Sequence, residues 1–297
     1  KTMQIDLQQP LIIDNINVEI AKLHFEQTGI NTWSVYLKHI EPEMYIDHKE
    51  DGHGETVQEQ AISIYYHGKP KEALRPPWDG GMVWSKDKNG NPWISVACQG
   101  TGASVWYPCK DYQGDEPDYG ASLTVTATNK LTVVANGLLS SAKKNNDSTI
   151  TYKWEVKNQI NNYDLIPYIG KYVNFKEVYK GEKGNLEMNY WVLDYNLNKA
   201  KKQFKDVQKM MKAFEYWFGP YPFYEDGYKL VDAPYLGMEH QSDIAYGNGY
   251  VNGYLNRGDL SNSGWGLKWD FIIVHESAHE WFGNSITSKD IADMWIH

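Results

Sequence analysis

The residues with the clearest chemical potential lie in Val274-His275-Glu276-Ser277-Ala278-His279-Glu280-Trp281-Phe282. On an α-helix His275 and His279 stand one turn apart on the same face. Two imidazoles so placed reach a single zinc ion at about 2.0–2.1 Å. Glu276, next to the first histidine, then points toward water on that metal, where it serves as general base and proton shuttle in metal-assisted hydrolysis. A His-Glu-x-x-His string also arises by composition alone, so its surroundings decide its weight. Phe271-Ile272-Ile273-Val274 before it and Trp281-Phe282 after it predict a buried helix. Two histidines and a glutamate on such a helix need partners to offset desolvation, and a metal ion supplies one. A satisfied pair of core histidines is the competing reading.

The elements that must hold these residues are legible as periodicities. The motif helix is predicted over Lys268 to Phe282, with Gly283-Asn284 as its stop. Upstream, Leu197, Ala200, Phe204, Val207, Met211 and Phe214 recur at helical spacing until Gly219-Pro220-Tyr221-Pro222 ends the run. A third helix is expected from about Lys289 to the last residue. Before about residue 195 no helical period is sustained. Segments such as Asn17–Ile20, Trp33–Leu37, Ala61–Tyr66 and Leu123–Thr128 are rich in β-branched and aromatic residues, and several alternate with period two. Turn residues separate them at Asp51-Gly52, Asp79-Gly80-Gly81, Asn89-Gly90-Asn91-Pro92, Asn136-Gly137 and Lys143 to Ser148. The fold class expected is an all-β N-terminal domain, an antiparallel sandwich or curved sheet over residues 1–178, followed by the first part of an α+β domain over 179–297.

Composition agrees with two domains and limits the partners. A chain of 297 residues exceeds one ordinary core of roughly 150 residues. With 29 basic and 38 acidic side chains the formal charge is −9, which argues against binding a nucleic-acid backbone. No run of 18 apolar residues exists, so no transmembrane helix is expected. Cys98 and Cys109 are the only cysteines, too few for a disulfide framework, and are read as thiols unless a hairpin joins them. The sequence starts Lys1-Thr2-Met3 with no leader pattern, so any signal peptide is expected to have been removed already. The compartment stays open, a periplasmic or secreted one being favoured.

His275-Glu276-Ser277-Ala278-His279-Glu280-Trp281-Phe282-Gly283-Asn284-Ser285-Ile286-Thr287 closely resembles the signature of the aminopeptidase N and leukotriene-A hydrolase family of zinc metallopeptidases, the gluzincins. In that family a glutamate eighteen residues after the second histidine is the third zinc ligand. The register here runs Asp293-Met294-Trp295-Ile296-His297, so the resemblance places that ligand directly after His297, where the chain stops. Leu236-Gly237-Met238-Glu239-His240 resembles the family's Gly-Ala-Met-Glu-Asn exopeptidase motif, departing from it at Leu236 and His240. By that likeness Glu239 binds the free α-amine of the substrate, with Gly237 and Met238 beside it. Without the likeness Glu239 reads as a solvated loop carboxylate. Cys98-Gln99-Gly100 and the stretch Trp106 to Asp111 resemble the place where the family's β domain meets the substrate. This implies that Gln99 binds substrate and that Asp111, Asp115 and Glu116 are structural.

The resemblance implies a β domain, then a thermolysin-like catalytic domain of which this chain holds the front part. It further implies hydrolysis of the N-terminal residue from peptides with a free amine, zinc as cofactor, and an oxyanion-stabilising tyrosine beyond residue 297. On this basis the 297 residues by themselves are expected to be inactive or to bind zinc weakly. The rival expectation is a non-catalytic peptide-binding module with an incomplete zinc site. Glu276 and Glu239 both present argue for an enzyme, because a vestigial site needs no base.

Overall fold

The computed structural model describes residues 1–37, 61–255 and 258–297, together with the paired strands Asp47–Glu50 and Thr56–Glu59. The predicted Asp51-Gly52 turn lies outside the described residues. Two compact units result, one of residues 1–71 and 101–111, the other of residues 72–100 and 112–297.

The first unit contains two three-stranded sheets. One orders Thr2–Asp6, Thr32–Tyr36 and His24–Gln27; the other orders Ala21–Lys22, Ile12–Val18 and Ile62–His67. Every pairing is antiparallel. Ile13, Ile16 and Val18 all reach the core although 13 and 16 differ in parity. A register shift between Ile13 and Asn15 absorbs the mismatch, since one extra residue flips the faces of a strand. The strand expected over Asn17–Ile20 ends at Val18, because Glu19 turns the chain at a φ of 49° and leaves Ile20 exposed. Asp111 accepts from the backbone N–H of Ala103 and Ser104, a structural use of that carboxylate.

The second unit contains three larger sheets. Thr132–Ala135, Pro167–Gly170, Pro92–Ala97 and Gly81–Lys86 form one, and Ala121–Thr128, Thr149–Val156 and Leu138–Lys144 form another. The third has five strands in the order Tyr172–Gly181, Gly184–Leu193, Tyr228–Asp232, Ile244–Tyr246 and Gly237–Met238. Tyr228–Asp232 runs parallel to both of its neighbours, the other pairings being antiparallel. Residue 178, where the sequence suggests a domain boundary, lies inside the strand Tyr172–Gly181. Cys98 and Cys109 are both thiols.

Along Gly184–Leu193 the alternation of faces is strict. Leu186, Met188, Tyr190 and Val192 are fully buried in the core shared with the helices. The helical run from Leu197 is broken in two: α1 (Leu197–Gln203) and α2 (Val207–Phe218) flank a 3₁₀ turn at Phe204–Asp206. The apolar stripe survives the break, with Ala200, Phe204, Val207 and Met211 all buried. α2 ends where the sequence indicates. Gly219 takes a φ of 88° and donates to the Glu215 carbonyl, a left-handed conformation that favours glycine.

Glu215, buried near the end of α2, binds this corner together. It accepts from the Tyr179 and Tyr224 hydroxyls at 2.9 and 2.7 Å and from the Glu182 and Tyr221 amides at 3.1 and 3.0 Å. Burial alone would raise its pKa, but the hydrogen bonds outweigh burial and hold it below the ordinary 4.5. A carboxyl depressed in the folded state stabilises above its unfolded pKa, and that stability is lost as pH falls through the folded value. Thermal unfolding followed by circular dichroism should therefore show a falling midpoint once pH drops below 4.5. Glu215→Gln should cost about 1–3 kcal/mol at neutral pH and flatten that acid limb. An unchanged acid limb in the variant would remove Glu215 from this role.

Candidate functional site

α3 (Phe271–Ala278) carries the motif and is shorter than the predicted Lys268–Phe282. Gly266–Lys268 forms a separate 3₁₀ turn, Trp269 is extended, and Asp270 is the N-cap. Its Oδ1 accepts from the Ile272 and Ile273 amides at 3.2 and 3.4 Å and from Asn248 Nδ2 at 2.8 Å. Its Oδ2 accepts from the Tyr246 hydroxyl and Gln203 Nε2. Such a cap satisfies amides that no helix turn can reach, and here it also ties the helix start to α1 and the sheet. After Ala278, His279 keeps helical angles, so the one-turn spacing of the histidines is preserved. The third predicted helix is a 3₁₀ segment, Ile291–Ile296, capped by Asp290.

His275 and His279 lie with ring centroids 4.8 Å apart and planes at 84°. Their ligand atoms and a Glu276 carboxylate oxygen all fall within 4.8 Å of one another. His279 Nδ1 sits 2.9 Å from the Phe282 carbonyl, which places the proton on Nδ1 and leaves the Nε2 lone pair for a metal. His275 stacks on Phe271 at 5.3 Å. Partial desolvation lowers the pKa of both histidines, His275 on the exposed side and His279 half-buried, so both are neutral donors near pH 7. Neutral imidazoles with one tautomer held by a carbonyl are a donor set suited to zinc. Glu276 is buried, and desolvation followed by repulsion from Glu239 pushes its pKa well up. A carboxylate in that state binds a proton readily, as a general base must.

Glu239 is also buried, on the loop that follows the short strand Gly237–Met238. Gln99 Nε2 and the Tyr163 hydroxyl donate to its Oε1 at 2.7 and 3.1 Å, and His297 Nε2 lies 2.9 Å from the same oxygen. No donor from another described residue reaches Oε2. Burial would raise this carboxyl, yet the His297 contact and the nearby His279 outweigh it and hold the pKa down to about 2. Gln99 Nε2 is also 2.8 Å from His297 Nε2, so the imidazole either accepts from the amide or gives its proton to Glu239. The His297 ring stacks on His279 at 4.7 Å.

The loop is locked to α3 and to the turn that follows it. Asn284 Nδ2 donates to the Glu239 carbonyl at 2.7 Å, and the Ser242 amide donates to Glu280 Oε1 at 2.8 Å. Met238 is buried, its strand pairing with Tyr246 and Ala245. Gly237 is required by close approach: a Cβ there would collide with Glu276 Oε1 and sit 2.8 Å from an Ile272 methyl. His240, one of the departures from the motif, bonds the Tyr168 hydroxyl at 2.7 Å, and burial drives its pKa down to about 3. It is a packed neutral side chain.

The structure thus brings His275, Glu276, His279, Gly237, Met238, Glu239 and Gln99 to one locality. It adds Tyr163 and His297, which sequence reasoning did not assign. Asn161-Asn162-Tyr163-Asp164 matches no motif, so Tyr163 left no signal. His297 was visible only as a histidine standing where the family has asparagine. Because no side chain fits at residue 237, Gly237→Ala should force Glu276 or the strand aside. A drop in thermal stability of about 1–3 kcal/mol, typical of overpacking, with weaker metal retention by equilibrium dialysis, is the expected result. A variant with unchanged stability would show that the strand relaxes freely.

No protein-family model matches the chain. The chain is 22% identical over 249 residues to the tricorn protease-interacting factor F2 of Thermoplasma acidophilum, covering 82% of this chain and 29% of the relative. It is 26% identical over 230 residues to leucine aminopeptidase 2 of Vanderwaltozyma polyspora, covering 76% and 31%. The chain therefore spans about a third of the length of the curated relatives it matches. A solved M1 zinc metallopeptidase from Deinococcus radiodurans, bound to a Tyr-Ser-Ala substrate, superposes with a TM-score of 0.74 at 18% identity, covering 99% of this chain and 60% of that one. At that identity the superposition speaks for the fold. Taken with the curated relatives and with the motif on α3, it leads to one conclusion: the chain is similar in sequence and fold to the N-terminal part of the M1 zinc metallopeptidases.

Proposed function

We propose that the protein is a zinc-dependent aminopeptidase that removes the N-terminal residue from peptides. The observation that carries this reading is the convergence of His275, His279 and Glu276 within 4.8 Å on one helix, beside the tethered carboxylate of Glu239. His275 and His279 would hold the zinc, and the family resemblance assigns the third ligand to the position after His297. When bound, zinc supplies Lewis acidity, polarising the scissile carbonyl and acidifying water. Glu276 would take a proton from the attacking water as its oxygen adds to the scissile carbonyl carbon, and would give that proton to the amine nitrogen as the C–N bond breaks. Glu239, held at Oε1 by Gln99 and Tyr163, presents Oε2 to the substrate's α-ammonium and so sets the first peptide bond over the site. Gly237 and Met238 supply the backbone that brings the two glutamates together. The same reading assigns residues 179–297 to the front of a thermolysin-like domain and residues 1–178 to an N-terminal β domain.

Two experiments test it. In the zinc-loaded protein extended beyond residue 297, Glu276→Gln should retain zinc by metal analysis and lose about 10²–10⁴-fold in hydrolysis of a free-amine peptide, the range for a general base. A loss below about tenfold would remove Glu276 from that role. The second concerns the amine. Acetylating the substrate's N-terminus strands a buried carboxylate without its cation, a cost of about 3–5 kcal/mol, so acetylated peptides should resist cleavage. Glu239→Ala should weaken free-amine substrates selectively and leave zinc content unchanged. Equal cleavage of blocked and free peptides, or internal cuts in a long blocked peptide, would make the protein an endopeptidase and Glu239 an ordinary loop carboxylate.

A further inference from the structure

On the five-stranded sheet, the face turned away from the helices holds a cavity of about 310 Å³. Its floor follows from the strand alternation that builds the core. With Leu186, Met188, Tyr190 and Val192 inside, Glu187, Asn189 and Trp191 must project from the other face. Register places Asn174 opposite Trp191, and Lys176, Asn189 and Lys229 in one row across three strands. The strand pair Leu138–Lys144 and Thr149–Val156 contributes Leu138, Leu139 and Trp154 as a wall.

The polar groups have an unusual balance. Trp154 and Trp191 meet edge to face at 6.1 Å, and Trp154 donates its N–H to the Val133 carbonyl. The Trp191 indole N–H is buried and has no acceptor among the described residues. A buried donor left unpaired costs free energy that an incoming acceptor would recover. Asn174 and Asn189 each use the amide N–H, on the Tyr190 carbonyl and Glu187, which leaves their oxygens as acceptors. Lys176 pairs with Glu187 at 3.5 Å. The buried Lys229 ammonium donates to the Gly137 carbonyl and is faced by Asp243, Asp226 and Glu280 from the interior.

A free anion would meet Glu187, and a free cation would meet both lysines. A neutral ligand whose groups both donate and accept suits all of them, and two indoles offer it an apolar wall. The volume lies at the lower end of the range for small-molecule sites. We propose that this cavity binds one neutral, polyhydroxylated ring: a monosaccharide unit, free or at the end of a glycan. It lies on the sheet face opposite the core that carries α3, and it stands whether or not the peptidase reading does.

Saturation-transfer NMR and calorimetry on the 297-residue chain would test it, with glucose, galactose, N-acetylglucosamine and a short oligosaccharide as probes. Succinate and putrescine serve as charged controls. At least one sugar should bind saturably with a dissociation constant on the order of millimolar. Tighter binding of the oligosaccharide would assign the site to a glycan end, and equal binding to the free sugar. Trp191→Phe keeps an aromatic ring and deletes only the N–H, so it should weaken binding about two- to tenfold, the worth of one hydrogen bond. Asn174→Ala should do the same, and His275→Ala should leave sugar binding intact, with folding checked by circular dichroism. No saturable sugar binding at about 50 mM, far above the expected constant, would overturn the proposal. So would binding that Trp191→Phe and Asn174→Ala both leave unchanged, or stronger binding of succinate or putrescine than of any sugar.

Discussion

Glu280, the residue after the second motif histidine, is fully buried, and its two oxygens bind two different parts of the chain. Oε1 takes the Ser242 amide and Oε2 the Tyr221 hydroxyl at 3.1 Å. The first contact holds the loop that carries Glu239; the second reaches the turn where α2 ends. Burial pushes the Glu280 carboxyl up to about 8, with Ser242 and Tyr221 pulling against it. Both oxygens are thus hydrogen-bonded against the pull of burial, a better use of a buried carboxyl than an isolated charge. The spacing between Glu239 and the histidines depends on this residue, although it belongs to neither group.

The same economy recurs around the site. Tyr228 and Ser277 share a hydrogen bond at 2.7 Å between the sheet and α3, and Asp270 joins the helix start to Tyr246, Asn248 and Gln203. Between these polar ties sit Ile272, Ile273 and Trp281, packed in the core with Phe204 and Tyr221. Apolar packing supplies adhesion without direction, whereas the polar ties fix rotation and depth, because each buried group must meet its own partner. A helix of eight residues would be marginal by itself in water; here both ends and one face are bound to neighbours.

Glu239 shows how tertiary structure changes a residue's chemistry. In a solvated loop it would be an ordinary carboxylate. With Gln99 and Tyr163 donating to one oxygen and His297 beside it, one oxygen is committed and the other remains for a ligand. Gln99 and Tyr163 come from segments more than 70 residues upstream, so the pocket around Glu239 exists only after the sheets have formed.

The local signals in the sequence were those with short-range causes. The spacing of His275 and His279, the apolar stripe of α1 and α2, the glycine that ends α2 and the strand alternation over Leu123–Thr128 are each set by one element's own period. These were legible, and the likeness of the α3 motif to a family signature pointed from them to a chemistry. The break at Phe204–Asp206 and the start of α3 at Phe271 instead of Lys268 were not, because Asp270 becomes a cap only when Tyr246, Asn248 and Gln203 come to share it. Nor was the need for glycine at 237, which arises from the packing of a two-residue strand on Glu276. Tyr163 and the single-oxygen tether of Glu239 were invisible for the same reason. Periodicity reports which face of an element is buried, and only the packed fold decides what that face meets.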